Sequence, residues 1–202
     1  AGKSLDKLAV NLKEHAEQYM VRLPIEVFRQ LSQAKAKINI QLGTSVVQLP
    51  VSVWAEDVND KTTSITVKIV KPSATEEKAW LSNLNQRSKG IKPVSELLHV
   101  QLLAMADQQG ATSLPHKHQL MITIDNVSSE PVLGIYGFDP AKQQWVFISE
   151  SLPSSGKLTF EAETSMYVAA MSYTNSFTDI TNHWAKNSID WMAARMLAGG
   201  YE

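Results

Sequence analysis

The sequence contains no cysteine, no surplus of either charge and no long apolar run, and each absence excludes a class of protein. Without cysteine, disulfides, zinc ribbons, iron–sulfur sites and a thiol nucleophile are excluded. Lys and Arg number 19 and Asp and Glu number 20, so no positive surplus is available for a phosphate backbone or an acidic membrane surface. No apolar run approaches the roughly 20 residues that span a bilayer. We therefore predict neither nucleic-acid binding nor a membrane span.

Motifs of nucleotide-binding and hydrolytic enzymes are also missing. The sequence has no Gly-x-Gly-x-x-Gly turn, no phosphate loop and no Gly-x-Ser-x-Gly elbow. Glycosidases need two facing carboxylates, but the adjacent Glu76 and Glu77 diverge by about 100° on a helix. The other closely spaced acids fall in a predicted loop or on a strand edge: Asp57, Asp60, Glu161 and Glu163. We predict no catalytic residues and no enzyme, although acids brought together from distant positions remain an alternative.

The closest pair of histidines is His116 and His118. On a strand, residues i and i+2 share a face, so both imidazoles could contact one metal ion. A proline and a lysine flank the pair, and the next carboxylate along the chain is Asp125. We interpret the pair as a solvated loop edge and predict no metal site and no cofactor. His15 and His99 are interpreted as structural.

Hydrophobic residues make up 44% of the 202 positions, which is enough to bury the core of one domain, with or without a small appendage. Between residues 97 and 172, short runs of β-branched and aromatic residues are separated by turn residues. This spacing favours an antiparallel sandwich or barrel. The predicted strands cover 37–49 as a hairpin, 64–70, 97–105, 119–125, 133–138, 144–148, 157–161 and 166–172.

Helices are predicted to flank these strands. Apolar residues at steps of three and four predict a helix over 4–20, and a second helix is predicted to follow Pro24. Further helices are predicted over 74–88 and over 182–197, the last capped by Asn182. The predicted fold is therefore mainly β and of the α+β class, an antiparallel β-sandwich-like domain with flanking N-terminal helices and a C-terminal helix.

One short sequence pattern occurs twice. Residues 21–28, Val-Arg-Leu-Pro-Ile-Glu-Val-Phe, match residues 47–54, Val-Gln-Leu-Pro-Val-Ser-Val-Trp. Two copies are too few for a solenoid. We interpret them as one strand–proline–turn device used twice, with Phe28 and Trp54 as core anchors.

Five tryptophans raise the alternative of a carbohydrate-binding module, because flat aromatic rings stack on sugars. Trp54, Trp80 and Trp145 each lie in an apolar pattern, so we predict that they fill the core. Trp191 lies off the main stripe of the last helix, and we predict that it is exposed. That stripe comprises Ala185, Ile189, Met192, Ala193 and Met196.

The tail reads Phe177-Thr178-Asp179-Ile180-Thr181-Asn182-His183-Trp184-Ala185, and it resembles the opening of an S-layer homology motif. That family begins with Phe-x-Asp-aliphatic and continues with His-Trp-Ala, an aliphatic residue four positions later and a glycine-rich exit. The matching positions are Phe177, Asp179, Ile180, His183, Trp184, Ala185, Ile189 and Gly199-Gly200-Tyr201. The second half of the family motif, a Thr-Arg-Ala-Glu segment on a second helix, has no counterpart. We therefore expect that the chain continues and that the apolar stripe of its last helix is left uncovered here.

The preceding residues resemble the β-rich domain found upstream of such motifs in Gram-positive surface proteins. The matching features are Leu23-Pro24, Leu49-Pro50, Leu133-Gly134-Ile135-Tyr136, Trp145 and the strand over 166–170. This resemblance divides the chain into a β-rich surface domain over 1–175, with a helical N-terminal part, and an incomplete S-layer homology motif over 176–202.

The resemblance implies attachment and display. S-layer homology motifs grip a secondary cell-wall polysaccharide, so the implied function is a non-catalytic structural or adhesive module of a secreted, wall- or S-layer-associated protein. Self-association in a lattice is also implied as an option. A carbohydrate-binding module of a surface glycanase is the alternative function.

Four residues of the tail form the implied polymer-binding motif: Phe177, Asp179, His183 and Trp184. By family position, Phe177 is a core plug, Asp179 orders the first turn, His183 caps or packs, and Trp184 packs. A half motif lacks the second helix and the basic residue expected to meet an anionic polymer. We therefore expect this fragment to bind wall polymer weakly or not at all.

Overall fold

The computed structural model describes residues 6–12, 16–106, 110–114, 120–125, 133–150, 154–162, 165–174 and 177–198. The strands are β1 (Lys7–Leu12), β2 (Gln18–Pro24), β3 (Lys37–Leu42), β4 (Ser45–Pro50), β5 (Thr62–Val70), β6 (Ile91–Pro93), β7 (His99–Ala106), β8 (Gly110–Ser113), β9 (Leu120–Asp125), β10 (Leu133–Asp139), β11 (Gln144–Glu150), β12 (Lys157–Ala162) and β13 (Tyr167–Tyr173). The helices are α1 (Ile25–Gln33), α2 (Val51–Trp54), α3 (Ala74–Arg87) and α4 (Lys186–Ala194). The predicted mainly β, α+β sandwich-like fold is confirmed.

The chain divides into two compact units, each made of three segments. Unit 1 comprises Ala1–Lys71, His99–Asn126 and Thr159–Ser165. Unit 2 comprises Pro72–Leu98, Val127–Leu158 and Met166–Glu202. The division into 1–175 and 176–202 concerns sequence modules and stays a prediction.

Unit 1 contains two sheets. Sheet A has the strand order β1-β3-β4-β9-β12, and sheet B has the order β2-β5-β7-β8. β1 pairs in parallel with β3, whereas β3–β4 and β4–β9 are antiparallel. Alternate residues of β3 are buried, as a period of two requires: Ile38, Ile40 and Leu42. β5 is buried on both faces over its middle, where Ser64 and Thr66 are buried as well as Ile65 and Val67.

The repeated strand–proline device is confirmed. β2 ends at Pro24 where α1 begins, and β4 ends at Pro50 where α2 begins. Proline favours an extended residue before it and lacks the N–H that a first helical turn leaves unused, so it suits this junction. Phe28 and Trp54 are each 1% exposed, as expected for core anchors. α1 and α2 pack against each other.

The helix predicted over 4–20 is wrong for the described residues, which form β1 and β2. Leu8 and Leu12 are four residues apart, a step that satisfies both the helical and the strand period. Val10 between them decides for the strand, because Leu8, Val10 and Leu12 are half-buried and alternate with exposed neighbours. Pairing with β3 provides the context that local periodicity lacks.

Unit 2 contains sheet C, with the strand order β11-β10-β13-β6. Across the β10–β11 hairpin, Tyr136 lies opposite Phe147 and Phe138 lies opposite Trp145. Their ring centroids are 5.4 Å and 5.1 Å apart, so both form cross-strand aromatic pairs. Trp80 of α3 stacks on Phe138 at 4.3 Å, so α3 lies over sheet C.

α3 begins with a capping box. The Ser73 Oγ accepts a bond from the Glu76 N–H (3.3 Å), and the Glu76 carboxylate accepts bonds from the Ser73 N–H (2.9 Å) and hydroxyl (2.7 Å). These bonds to the ionised form lower the pKa of Glu76. Glu76 therefore has a structural role at the start of α3.

The other predicted strands are confirmed, but two short ones were missed. β6 has three residues and β8 has four. Such short segments are defined by their pairing partners more than by any pattern of their own. None of the described helices is long and apolar enough to cross a membrane.

Candidate functional site

The tail segment, which we define as residues 177–198, is part of unit 2. Ala193 and Ala194 are each 1% exposed within the aromatic core, and Phe177 and Met196 pack against that core. The expectation that the apolar stripe of the last helix is left uncovered is therefore wrong for Ala193 and Met196. The core of unit 2 supplies the cover expected from a second helix.

The C-terminal end of α4 is held by side chains of unit 2. The last carbonyls of a helix have no partner within it. Here the Ser88 hydroxyl donates to the Ala193 carbonyl (3.0 Å), and the Tyr136 hydroxyl donates to the Ala194 carbonyl. Burial raises the pKa of Tyr136, so its hydroxyl remains a donor. These buried bonds join α4 to the end of α3 and to β10.

Arg195 connects α4 to β11. Its guanidinium lies 3.6 Å from the ring centroid of Trp191 and 5.1 Å from that of Phe147. It also donates to the Trp191 carbonyl (2.8 Å) and forms an ion pair with Glu150. The Arg195 side chain is only 9% exposed, so it contacts the Trp191 ring from the buried side.

The four predicted motif residues do not share one environment. Phe177 is half-buried against the unit 2 core, as expected for a plug. Asp179, His183 and Trp184 are exposed, and Ile180 fills the buried position of the turn. Trp184 is 92% exposed, so its predicted packing role is wrong. Their role in polymer binding stays a prediction.

The start of α4 also differs from the expectation. The predicted cap, Asn182, makes no cap, because α4 begins at Lys186 after Ala185 and has no side-chain cap. Instead, His183 Nδ1 accepts a bond from the Ala185 N–H (3.2 Å), in line with the capping role expected for His183. The turn continues into the helix through the bond from the Lys186 N–H to the His183 carbonyl (3.0 Å).

The outer face of α4 carries one tryptophan and two uncharged polar residues, and a second tryptophan, Trp184, lies in the turn two residues before the helix. Asn187, Ser188 and Trp191 are exposed. Within α4, the steps of four from Asn187 and three from Ser188 to Trp191 place these residues along one side of the helix. The ring of His183 stacks against that of Trp184, with centroids 5.6 Å apart and planes 29° apart. Trp191 is 50% exposed, as predicted.

The other three tryptophans are buried, as predicted. Trp54, Trp80 and Trp145 are between 1% and 7% exposed, and the Trp145 indole N–H donates to the Trp80 carbonyl (2.9 Å). Sugar stacking on these rings is therefore excluded. The aromatic surface of the described chain lies in the tail segment.

The remaining predicted candidates form no site among the described residues. His15, His116, His118, Glu163 and the stretch 199–201 lie outside the described residues. His99 starts β7 and is half-buried. Asp60 pairs with Arg29 at 3.9 Å on the surface. Within the described ranges, no three side chains of His, Asp or Glu are grouped to hold a metal ion.

Sequence reasoning missed Ser88, Tyr136 and Arg195 as residues that seat the tail segment. Ser88 and Tyr136 lie 105 and 58 residues from the carbonyls that they bind, a separation that no local pattern reports. The pair Trp191 and Arg195 did offer a signal, because residues four apart on a helix are neighbours.

Comparison with known proteins gives one partial match. No family model matches the chain, and no solved structure matches it. A stretch of 92 residues, 45% of this chain, is 28% identical to an amylopullulanase of Thermoanaerobacterium thermosulfurigenes. The stretch covers 5% of that protein, so the similarity relates this chain to a small part of a much larger protein.

Proposed function

We propose that this chain is a non-catalytic structural module of a secreted, wall-associated bacterial surface protein, placed ahead of S-layer homology motifs that bind cell-wall polysaccharide. The observation that carries the proposal is that the tail segment is buried on one side and exposed on the other. Its inner side is built into unit 2, whereas Asp179, His183 and Trp184 face solvent. When a polymer-binding motif is packed into a folded unit in this way, binding of the motif also attaches that unit to the polymer.

The non-catalytic role is supported by what the acids of unit 2 do. Glu76 caps α3, and Glu150 pairs with Arg195. Asp139 pairs with Lys142 (3.1 Å) across the hairpin turn, and Asp190 pairs with Lys186. Each of these carboxylates stabilises a local structure, which is a different task from facing another acid across a sugar bond.

Retention on purified wall sacculi tests the proposal. We expect a longer version of the protein that carries complete motifs to be retained, and this chain to be retained weakly or not at all. Equal retention of both versions would contradict the proposal. In the longer version, W184A should weaken retention, whereas L197S, an exposed substitution away from the four predicted polymer-binding residues, should not.

A carbohydrate-binding module of a surface glycanase is the second candidate function. The similarity to part of an amylopullulanase and the exposed rings of Trp184 and Trp191 favour it. Both candidates share the prediction of no catalysis. Incubation with pullulan and soluble starch should release no reducing ends, and catalytic release by the pure chain would overturn both.

A further inference from the structure

We infer that the outer face of α4 is a binding strip for an uncharged polysaccharide. The strip comprises Asn187, Ser188 and Trp191 of α4 together with Trp184 of the turn before it. The inference rests on the second candidate function, and it assigns a ligand of different charge from the anionic polymer expected for a complete wall-binding motif. It also places the sugar site on a helix, whereas a sheet face is the usual place to look in a β-rich module.

The two tryptophan rings of the strip are exposed and supported by neighbouring side chains, as stacking on a sugar requires. Trp184 is 92% exposed and Trp191 is 50% exposed, although large aromatic side chains are usually buried. Each ring is supported by a neighbour, Trp184 by His183 at 5.6 Å and Trp191 by Arg195 at 3.6 Å. A supported ring keeps its orientation and offers its open side to the C–H face of a pyranose.

The residues between the rings supply hydrogen bonds without charge. Asn187 has two amide donors and a carbonyl acceptor, and Ser188 has a hydroxyl that can donate or accept. Both side chains are exposed. Sugar hydroxyls need this mixture of donors and acceptors around an apolar ring contact.

The charged neighbours of the strip are already paired. Lys186 bonds Asp190 within the helix, and Arg195 is held by Glu150 and by the two aromatic rings. The charge pattern therefore favours an uncharged ligand over an acidic one.

The length and polarity of the strip favour a chain of sugars. Asn187 to Trp191 spans about 6 Å of helix and Trp184 precedes it by three residues, so the strip is longer than one sugar ring. Asn187 and Ser188 lie between the two tryptophans, so although Met192 beside Trp191 is 37% exposed, the apolar surface is interrupted, whereas protein interfaces and membrane-binding faces present contiguous apolar patches. An oligosaccharide lying along α4 fits both features.

Affinity electrophoresis tests the inference with the full chain in native gels that contain pullulan, soluble starch or hydroxyethyl cellulose. We expect at least one of these polymers to retard the protein. W184A and W191A should each weaken binding by about tenfold, because one stacked aromatic contributes about 1–3 kcal/mol. W191F should retain most of the binding, because it keeps a flat ring.

Two controls separate stacking from general apolar adhesion. Leu197 is 68% exposed and lies outside the strip, so L197S should leave polysaccharide binding unchanged. Polygalacturonate offers pyranose rings with carboxylates, and we expect it to bind less tightly than the best uncharged polymer. Circular dichroism of each variant should match that of the parent chain.

Three results would overturn the inference. These are no retardation by any of the uncharged polymers, equal binding by the double variant W184A/W191A, and preference for polygalacturonate. Tryptophan-dependent self-association or vesicle binding in place of sugar binding would assign the strip to a protein or a membrane and would also overturn it. None of these results affects retention of the longer version on sacculi, so the two proposals fail separately.

Discussion

The two compact units bury their apolar residues in different ways. The core of unit 1 consists mainly of aliphatic side chains that alternate along its strands, such as Ile38, Ile40 and Leu42 on β3. The core of unit 2 consists of packed aromatic rings and of α4, whose last carbonyls accept hydrogen bonds from buried hydroxyls. Unit 1 thus depends on periodicity, whereas unit 2 depends on contacts between residues far apart in sequence.

This difference explains how the exposed strip arises. Ala193 and Ala194 on the inner side of α4 are small, so the helix approaches sheet C and α3 closely. The bulky residues of α4, including Trp191, lie on the outer side, where Arg195 supports the ring. The packing of unit 2 thereby creates an aromatic surface that the strands of unit 1 do not offer within the described residues.

The largest predicted effect comes from removing one tryptophan in either unit. W54A in unit 1 and W145A in unit 2 should each lower the free energy of unfolding by about 3–5 kcal/mol, because each leaves a large cavity. Trp145 also loses its bond to the Trp80 carbonyl. Hydrogen exchange should show lost protection mainly in the unit that carries the change. Equal loss in sheets A, B and C would refute the idea of two separate cores.

A glycine in each unit tests close packing. Gly90 in unit 2 has a φ of +94°, and a Cβ there would meet the Thr174 carbonyl oxygen. Gly43 in unit 1 has a φ of +51°, with no atom within 4 Å of the added Cβ. G90A should therefore cost about 3 kcal/mol from strain and overlap together, and G43A about 1 kcal/mol from strain alone. Chemical denaturation measures both, and equal costs would contradict the packing argument.

Removing one hydroxyl tests whether side-chain hydrogen bonds hold the C-terminal end of α4 against unit 2. Y136F leaves the buried Ala194 carbonyl without its donor, which should cost about 2 kcal/mol. Hydrogen exchange should quicken in α4 while sheets A and B remain protected. S88A removes the bond to the Ala193 carbonyl and should act in the same place. If both variants leave exchange in α4 unchanged, the hydroxyls do not hold the helix.

Much of the fold could be predicted from sequence where one residue pattern had one physical meaning. Strands β3, β4, β9 and β12 of sheet A alternate clearly, and the two Leu-Pro junctions stop a strand and start a helix at the predicted places. β1 and the first residues of β2 were predicted as a helix over 4–20, since residues such as Leu8 and Leu12 satisfy both periods. Pairing with β3 and β5 decided between them.

For the candidate site, too, the sequence could predict only features that depend on local pattern. Exposure of Trp191 follows from its place off the apolar stripe, and it was predicted. The exposure of Trp184 could not be predicted, because Ile180 takes the buried position of that turn. The support of Trp191 by Arg195, Phe147 and Glu150 depends on β11 lying beside α4, which is a property of the tertiary fold.

The smallest predicted effect is a pH dependence at the start of α3. Because hydrogen bonds from Ser73 lower the pKa of Glu76, its ionised form stabilises the folded state above the ordinary glutamate pKa of about 4.3. That contribution should be lost as the pH falls through the lowered pKa. S73A removes the bonds from the Ser73 hydroxyl, so its melting temperature should lie slightly below that of the parent at neutral pH and converge with it in acid. E76Q cannot titrate at this position and should flatten the pH dependence. A constant difference between the parent and S73A from neutral to acidic pH would show that the serine caps α3 without help from the Glu76 charge.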